Sequence, residues 1–247
     1  MMMEILIVSA IITLGSFTQG LTGFGLALVS VPLLSLAVDV KAAVPIAGIF
    51  GWLVTFPLVW KMRQHVQWRV GLILFAGSLP GSFLGADLLK RLPAEAILIT
   101  MGCVLILSSL YSLFAKAPLF TKASAPLTVG TGFFSGALGA SVGEPGPPVI
   151  AFTSMQPWTA DQTKSTLVFF FMLQMIGAIA GFWSKGLLTP YVAERVLYAM
   201  PAFLVGMSVG MFAYHLLHKF KINYHGIIHS LLLIIGVMLV VKNVHIW

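Results

Sequence analysis

The sequence GSFTQGLTGFGLALVSVPLL (residues 15–34) places four glycines inside an apolar stretch, and GFFSGALGASVGEPGPPVIAF (residues 132–152) repeats this pattern in the second half of the chain. The two segments align at one offset of 116 residues, which pairs Gly20 with Gly136, Gly23 with Gly139 and Pro32 with Pro148. Helix breakers buried in a membrane at equivalent places of two halves are the best sequence pointer to a transporter binding site. We therefore expect these two segments to organise both the fold and the function.

The composition is that of a membrane protein. Of the 247 residues, 59% are hydrophobic and only 9% are charged, whereas a soluble domain carries about 25% charged residues. Mean hydropathy is +1.00. We therefore predict an all-α polytopic membrane protein. The first residues, MMMEILIVSAIITLG, lack the basic start and cleavage site of a signal peptide, so we expect a retained membrane segment there.

The charged and reactive residues exclude several function classes. The formal net charge of +7 comes from lysines and arginines in short loops, which is the positive-inside pattern, so we predict no nucleic-acid partner. A single cysteine rules out an intrachain disulfide, and no carboxylate or cysteine accompanies the histidines at metal-ligand spacing. The sequence contains no Walker loop, nucleophile elbow, HExxH or dinucleotide motif. We therefore predict no metal, no cofactor and no enzymatic activity.

Eight apolar runs follow one another along the chain, separated by short segments that carry most of the charge. A membrane-spanning helix needs about 20 apolar residues, and the runs lie near 4–38, 42–60, 66–89, 94–115, 126–156, 165–184, 190–217 and 224–246. The polar connector 116–125 divides them into two homologous four-segment halves. We predict one transmembrane transporter domain over 1–247, with repeat 1 at 1–117 and repeat 2 at 124–247.

The third run of each half adds a second likeness between the halves. Each contains a proline followed by glycines four residues apart, a spacing that lets two helices pack closely. The residues are Pro80, Gly81 and Gly85 in the first half, and Pro201, Gly206 and Gly210 in the second.

The topology of the two glycine segments stays open at the level of sequence. The run that contains each segment is long for one crossing and short for two. It is a broken single helix, two short spans, or a re-entrant hairpin whose tip is the glycine segment. Two hairpins would leave each half with an odd number of crossings and invert the halves, whereas two simple crossings would leave the halves parallel.

A helix that restarts after a break offers free N–H groups and a positive dipole end, which suit a small anion. The candidate substrate-binding residues are Thr18, Gln19, Gly20, Thr22, Gly23 and Gly25 in the first segment, and Ser135, Gly136, Gly139, Ser141 and Gly143 in the second. Lys41 and Lys164, each near the start of the next apolar run, would add positive charge. The structural alternatives are glycines that serve packing, hydroxyls that bond within their own helix, and snorkelling lysines. Because the glycines occur as a matched pair, we favour a binding site.

Glu144 stands apart from the other six acidic residues. The others lie at the ends of apolar runs, whereas Glu144 lies inside the second glycine segment. An intramembrane carboxylate is a functional candidate because burial favours its neutral, proton-bearing form. An ionised Glu144 would repel an anion, so we predict a proton-coupling role rather than direct binding. The alternative is a glutamate in a loop that faces water.

At these residues the chain resembles the sulfite exporter TauE/SafE family, also called the toluene sulfonate uptake permease family. GLTGFGLALVSVPLL and GALGASVGEPGPPVIAF follow its layout of two related halves, each opening with a glycine-rich segment that ends in a proline and a Leu/Val run. PGSFLGADL resembles its third-segment pattern, and the resemblance covers essentially the full chain. It implies carriage of small sulfur-containing or carboxylate anions, such as sulfite, sulfoacetate or other organosulfonates, across the bacterial inner membrane.

We therefore expect a secondary transporter that moves small sulfur-containing or organic anions and is coupled to protons. A passive anion channel and a carrier for small carboxylates are the alternatives, and an intramembrane enzyme ranks last. The expected partners are a small anionic substrate and the lipid bilayer. The sequence leaves open whether the chain forms a homo-oligomer.

Overall fold

The computed structural model describes residues 2–22, 25–114, 124–219 and 225–244, without the side chains of residues 22, 112–114, 214–219, 225–229 and 231. The described residues form ten α-helices and no strand. The helices are α1 (Met2–Thr22), α2 (Leu26–Leu34), α3 (Val40–Met62), α4 (Trp68–Arg91), α5 (Ala94–Phe114), α6 (Ala125–Val142), α7 (Gly146–Ser154), α8 (Ala160–Ser184), α9 (Pro190–Lys219) and α10 (His225–Val244). A short 3-10 turn, Arg63–His65, follows α3.

Helix length separates two short helices from six that are long enough to cross a membrane. Six of them, α1, α3, α4, α5, α8 and α9, are long and apolar enough to cross a membrane. In contrast, α2 and α7 have nine residues each, or about 13 Å at 1.5 Å per residue, against a hydrocarbon core of about 30 Å. The prediction of an all-α polytopic membrane protein is confirmed.

Both apolar runs that contain glycine segments are divided into a long helix and a short one. The first break precedes α2 and contains Gly25 at φ 105°, and the second follows α6 and contains Gly143 at φ 80°. Both glycines adopt left-handed backbone conformations that other residues rarely tolerate. We name these the first break, which lies between α1 and α2, and the second break (residues 143–145).

The two breaks do not follow the offset that aligns the glycines. Helix α7 begins at Gly146 and α2 at Leu26, a separation of 120 residues instead of 116. Helix α6 therefore continues one turn further than the alignment predicts. As a result Gly139 lies inside α6, while Pro32 lies in the last turn of α2 and Pro148 in the first turn of α7.

Each short helix packs against the long helix that precedes it, α2 against α1 and α7 against α6. In α2, the Ser30 hydroxyl and the Leu26 carbonyl lie against Gly15 of α1. In α7, Val149 and Phe152 pack in one apolar cluster with Leu74 of α4, whose carbonyl also lies against Gly132 of α6.

The chain forms two compact units. Unit 1 comprises Met1–Phe50, Leu92–Ala115 and Leu188–Trp247, and unit 2 comprises Gly51–Arg91 and Lys116–Leu187. Each unit thus takes residues from both of the predicted repeats. Unit 1 contains the first break, and unit 2 contains the second.

In unit 1, α1 and α9 pack with their backbones in contact. Gly206 of α9 lies against the carbonyl of Thr13, and Gly210 lies against the carbonyl of Phe17. Glycines at these positions allow an approach that any side chain would prevent.

A buried arginine adds a polar contact between the same two helices. Arg195, at the start of α9, is 4% exposed, and its Nε donates to the Glu4 carboxylate of α1 over 3.0 Å. The Tyr191 hydroxyl donates to the same carboxylate oxygen. Glu194 Oε2 lies 3.1 Å from Arg195 Nη1, an ion contact without hydrogen-bond geometry. The two carboxylates together compensate for the burial of the guanidinium charge.

In unit 2, α4 and α6 make the same kind of contact over a longer stretch. Five glycines lie against carbonyl groups of the opposite helix: Gly77 against Val129, Gly81 against Phe133, Gly85 against Ala137, Gly132 against Leu74, and Gly136 against Ser78. Because the glycines come from both helices, the two backbones interlock along about three turns.

This packing predicts opposite effects for two alanine substitutions on α6. Gly136→Ala places a methyl group into the Ser78 carbonyl, so we expect a loss of about 1–3 kcal/mol of stability. Gly130→Ala meets no atom within 4 Å and should be neutral or stabilising by up to about 1 kcal/mol, because alanine favours the helix. Thermal unfolding of the two variants in detergent measures the difference. Equal melting temperatures would contradict the glycine–carbonyl packing of α4 and α6.

Candidate functional site

The first break is closed by the side chain of Gln19. The Leu26 amide, at the start of α2, donates to Gln19 Oε1 over 3.0 Å, and Gln19 is 7% exposed. A glutamine amide in an apolar segment needs a hydrogen-bond partner, and Gln19 has one in the first turn of the helix that follows the break.

Two backbone amides in the first turn of α2 have no acceptor within the helix. The Val29 amide donates to the Gly25 carbonyl over 3.1 Å and thereby begins the regular helical pattern. The amides of Ala27 and Leu28 precede that pattern. Both residues are half-buried. These donors, at the positive end of a helix dipole, can bind a small anion.

The other predicted residues of the first segment have mixed surroundings. Thr18 bonds back to the Leu14 carbonyl over 2.9 Å, and Gly20 packs against the backbone of α9 at Met207. Lys41 lies in the first turn of α3, where its amide donates to the Asp39 carboxylate. Two of the predicted residues lie outside what the structure describes: Gly23 and the side chain of Thr22.

The second break is capped by backbone groups. The amides of Gly143 and Glu144 both donate to the Leu138 carbonyl of α6, which satisfies a terminal acceptor of that helix. On the other side of the break, Pro147 and Pro148 occupy the first turn of α7 and carry no N–H group. Helix α7 therefore offers far fewer anion donors than α2.

Three buried oxygen atoms near the second break have no hydrogen-bond partner among the described residues. They are Ser135 Oγ, Glu144 Oε1 and Gln174 Oε1. Glu144 is 2% exposed, and Ser135 and Gln174 are fully buried. The prediction that Glu144 lies within the second break is confirmed by its position between α6 and α7.

Gly139 of α6 lies next to both Gln174 and the second break. A methyl group on Gly139 would lie 2.7 Å from Gln174 Nε2 and 2.9 Å from Pro145 Cβ. Gln174 of α8 and the residue that follows Glu144 therefore flank the same glycine. Ser135 is one helical turn before Gly139 on α6, which places it on the same helix face.

The remaining predicted residues of the second segment have other contacts. The Ser141 hydroxyl donates to the Ala137 carbonyl of its own helix over 2.7 Å, and Gly136 packs against α4. Lys164 lies near the start of α8, ten residues before Gln174 and therefore about 15 Å from it along the helix axis.

Sequence reasoning missed Gln174 and Ser82. Gln174 Nε2 donates to Ser82 Oγ of α4 over 3.3 Å, and both side chains are fully buried. The argument that drew attention to Gln19, an amide inside an apolar run, applies equally to Gln174 in FFFMLQMIGA and could have found it. No signal in the sequence indicates Ser82, because its role depends on a contact between residues 92 positions apart. No three potential metal ligands come together within the described part of the chain.

The fold and the two polar breaks define a multi-pass helical membrane protein with buried polar groups where its helices are interrupted. Residues 8–239 match the family described as sulfite exporter TauE/SafE. The chain belongs to this family of membrane transporters, so the resemblance predicted from the glycine segments is confirmed.

A curated relative supports the same assignment. The chain is 23% identical over 219 residues to a protein of Cupriavidus necator named "Probable sulfite/organosulfonate exporter TauE". The alignment covers 85% of this chain and 84% of the relative. No solved structure matches the chain.

The Gln19 contact predicts a local effect at the start of α2. In Gln19→Met the Leu26 amide loses its acceptor, and we expect it to exchange with deuterium about fivefold faster, which corresponds to a capping interaction of about 1 kcal/mol. Gln19→Glu keeps an acceptor and should preserve the slow exchange. Thr18→Val is the matched control, since it removes a polar group that does not contact Leu26. An unchanged exchange rate in Gln19→Met would contradict the cap.

Proposed function

We propose that the chain is a secondary transporter that moves sulfite or small organosulfonates across the bacterial inner membrane, coupled to protons through Glu144. The single observation that carries this proposal is the chemistry of the two breaks. The first leaves backbone donors at the start of α2, and the second contains a buried, unpartnered carboxyl group. Membership of a transporter family and the name of the Cupriavidus necator relative support this choice of substrate.

The first break supplies the anion-binding chemistry in this proposal. Sulfite and sulfonates present oxygen acceptors and negative charge, which require N–H donors rather than carboxylates. The amides of Ala27 and Leu28 provide such donors. Gln19 fixes the start of α2 by binding Leu26, so that these amides keep their direction.

The second break supplies the coupling chemistry. Glu144 has no cationic partner among the described residues, and its side chain is buried. A buried carboxyl without a cation is stable only when it carries a proton. Uptake and release of that proton therefore require a change in the surroundings of Glu144, as alternating access provides.

We further propose that the chain is an internal repeat with re-entrant segments at the two breaks. In unit 1 the glycines of α9 lie against the carbonyl groups of Thr13 and Phe17. In unit 2 the glycines of α4 lie against the carbonyl groups of Val129 and Phe133. Thr13 and Val129 are 116 residues apart, and so are Phe17 and Phe133. The same offset separates Gly20 and Gly136. By these contacts Gly81 corresponds to Gly210, whereas the order of glycines in the sequence would pair it with Gly206. The shortness of α2 and α7 and their packing against α1 and α6 support a re-entrant arrangement.

A negative charge introduced at Gln19 tests whether the first break binds the anion. Purified protein in liposomes should take up sulfite down an imposed gradient. In Gln19→Glu, measured above neutral pH, we expect the KM for sulfite to rise at least tenfold, because a carboxylate would lie next to the donors of α2 while still accepting from Leu26. Thr100→Val, at an exposed hydroxyl of α5 that bonds within its own helix, should leave the KM unchanged.

Two results would overturn this assignment. One is an unchanged KM in a folded Gln19→Glu protein. The other is uptake of acetate or another small carboxylate, but not of sulfite or isethionate, which would identify the chain as a carboxylate carrier. A passive channel would show no counterflow, whereas a carrier loaded with unlabelled sulfite on one side should accumulate labelled sulfite there.

Proton coupling is tested at Glu144. In Glu144→Gln we expect a pH gradient to drive no sulfite accumulation, while exchange of sulfite across the membrane at equal pH continues, since the amide cannot carry a proton. Asp161→Asn, at an exposed acid of α8, is the matched control and should retain gradient-driven transport. Full pH-driven accumulation in Glu144→Gln would disprove the coupling role.

A further inference from the structure

Unit 2 contains a polar cluster that extends beyond Glu144. Glu144 Oε1, Gln174 Oε1 and Ser135 Oγ are buried oxygens without a hydrogen-bond partner in the described residues. They come from the second break, α8 and α6. Three unsatisfied buried oxygens in one unit form an arrangement that folding alone does not favour, because each loses its hydrogen bond to water without replacement.

The orientation of the Gln174 amide is fixed by Ser82. Gln174 Nε2 donates to Ser82 Oγ over 3.3 Å, so the opposite end of the amide presents Oε1, which only accepts hydrogen bonds. The nitrogen of this amide lies against Gly139, which Pro145 also contacts. Gln174 of α8 and Pro145, the residue that follows Glu144, therefore lie on the same side of Gly139.

Protonation of one group would satisfy two of these oxygens. An ionised Glu144 offers only acceptors, and Gln174 Oε1 is also an acceptor, so the two cannot bond to each other. A protonated Glu144 carries one O–H donor, which Gln174 Oε1 can accept.

Charged side chains do not offer an alternative partner. Helices α6 and α7 contain no charged residue. The charges of α4 and α8 lie near the ends of these helices, at Arg69, Asp87, Lys90, Arg91, Asp161 and Lys164, with Lys185 following α8. Asp87 is occupied by Arg91 and Lys185.

We propose that Gln174 is a positioning residue for the coupling proton, and that its Oε1 accepts the hydrogen bond of protonated Glu144 while Ser82 holds the amide in the required orientation. The inference rests on the proposed coupling role of Glu144. It adds Gln174 and Ser82 to the proton site. The sequence analysis named only Glu144 there. The ligand of the cluster is a proton and not a metal ion.

Infrared difference spectroscopy between acidic and alkaline buffer tests the proposal on the full chain in lipid vesicles. The carboxyl C=O band of Glu144 is identified by its loss in Glu144→Gln. In Gln174→Met, which keeps the length of the side chain but removes the acceptor, we expect the band to change frequency. We also expect its pH midpoint to fall by about one unit, because the protonated form loses one hydrogen bond.

A second variant and two controls keep the test decisive. Ser82→Ala retains Gln174 but frees its amide, and should lower the midpoint by a smaller amount. Ser165→Ala removes a fully buried hydroxyl of α8 that bonds within its own helix, and Gln64→Met replaces an exposed glutamine of the same unit. Both controls should leave the band and its midpoint unchanged.

The outcomes separate this inference from the proposed function. An unchanged band and midpoint in both Gln174→Met and Ser82→Ala, in protein with the wild-type melting profile, would overturn the role of Gln174. A Glu144 signal that responds to replacement of sodium by choline, but not to pH, would overturn the proton as ligand. If sulfite transport is absent while the Gln174→Met shift is present, the substrate assignment fails and the proton site stands.

Discussion

Unpaired backbone groups at the two helix breaks are the constraint on which the rest of the structure depends. A helix end leaves N–H or C=O groups without partners, and an apolar environment provides no water to satisfy them. The first break meets this constraint by adding an acceptor, because Gln19 binds the Leu26 amide. The second break meets it by removing donors, since Pro147 and Pro148 have no N–H group. One physical requirement is thus met by two different chemistries.

Close backbone packing holds the breaks in place. In unit 1 the helix that leads into the first break contacts α9 through Gly206 and Gly210, and in unit 2 the helix that leads into the second contacts α4 in the same way. Lipid offers no hydrophobic gain for helix association, so small residues that bring backbones together carry much of the stability. Gly20 and Gly136 belong to this packing, which explains why a glycine pattern marks both the fold and the neighbourhood of the site.

Local features were predictable from the sequence, and contacts between distant segments were not. The apolar runs predicted the helices, the glycines predicted both breaks, and the position of Glu144 in GEPGPP predicted a carboxyl within the second. The extra turn of α6 was not predictable, because glycine and proline positions align at 116 residues whichever turn the helix ends on. Gln174 and Ser82 meet across 92 residues, and no helical periodicity indicates which helices become neighbours. The same reason hides the assembly of each unit from both halves.

The difference between the two breaks has a functional logic. An anion requires donors, and a coupling proton requires acceptors, so a carboxylate placed among the donors would repel the substrate. Gln19 uses its oxygen to bind Leu26 and leaves the amides of Ala27 and Leu28 as donors, whereas Gln174 binds Ser82 through its nitrogen and leaves its oxygen as an acceptor. In the proposed mechanism a glutamine side chain therefore favours an anion at the first break and a proton at the second. In the proposed mechanism this opposite use of the amide, rather than the glycine pattern that both breaks share, separates substrate binding from proton binding.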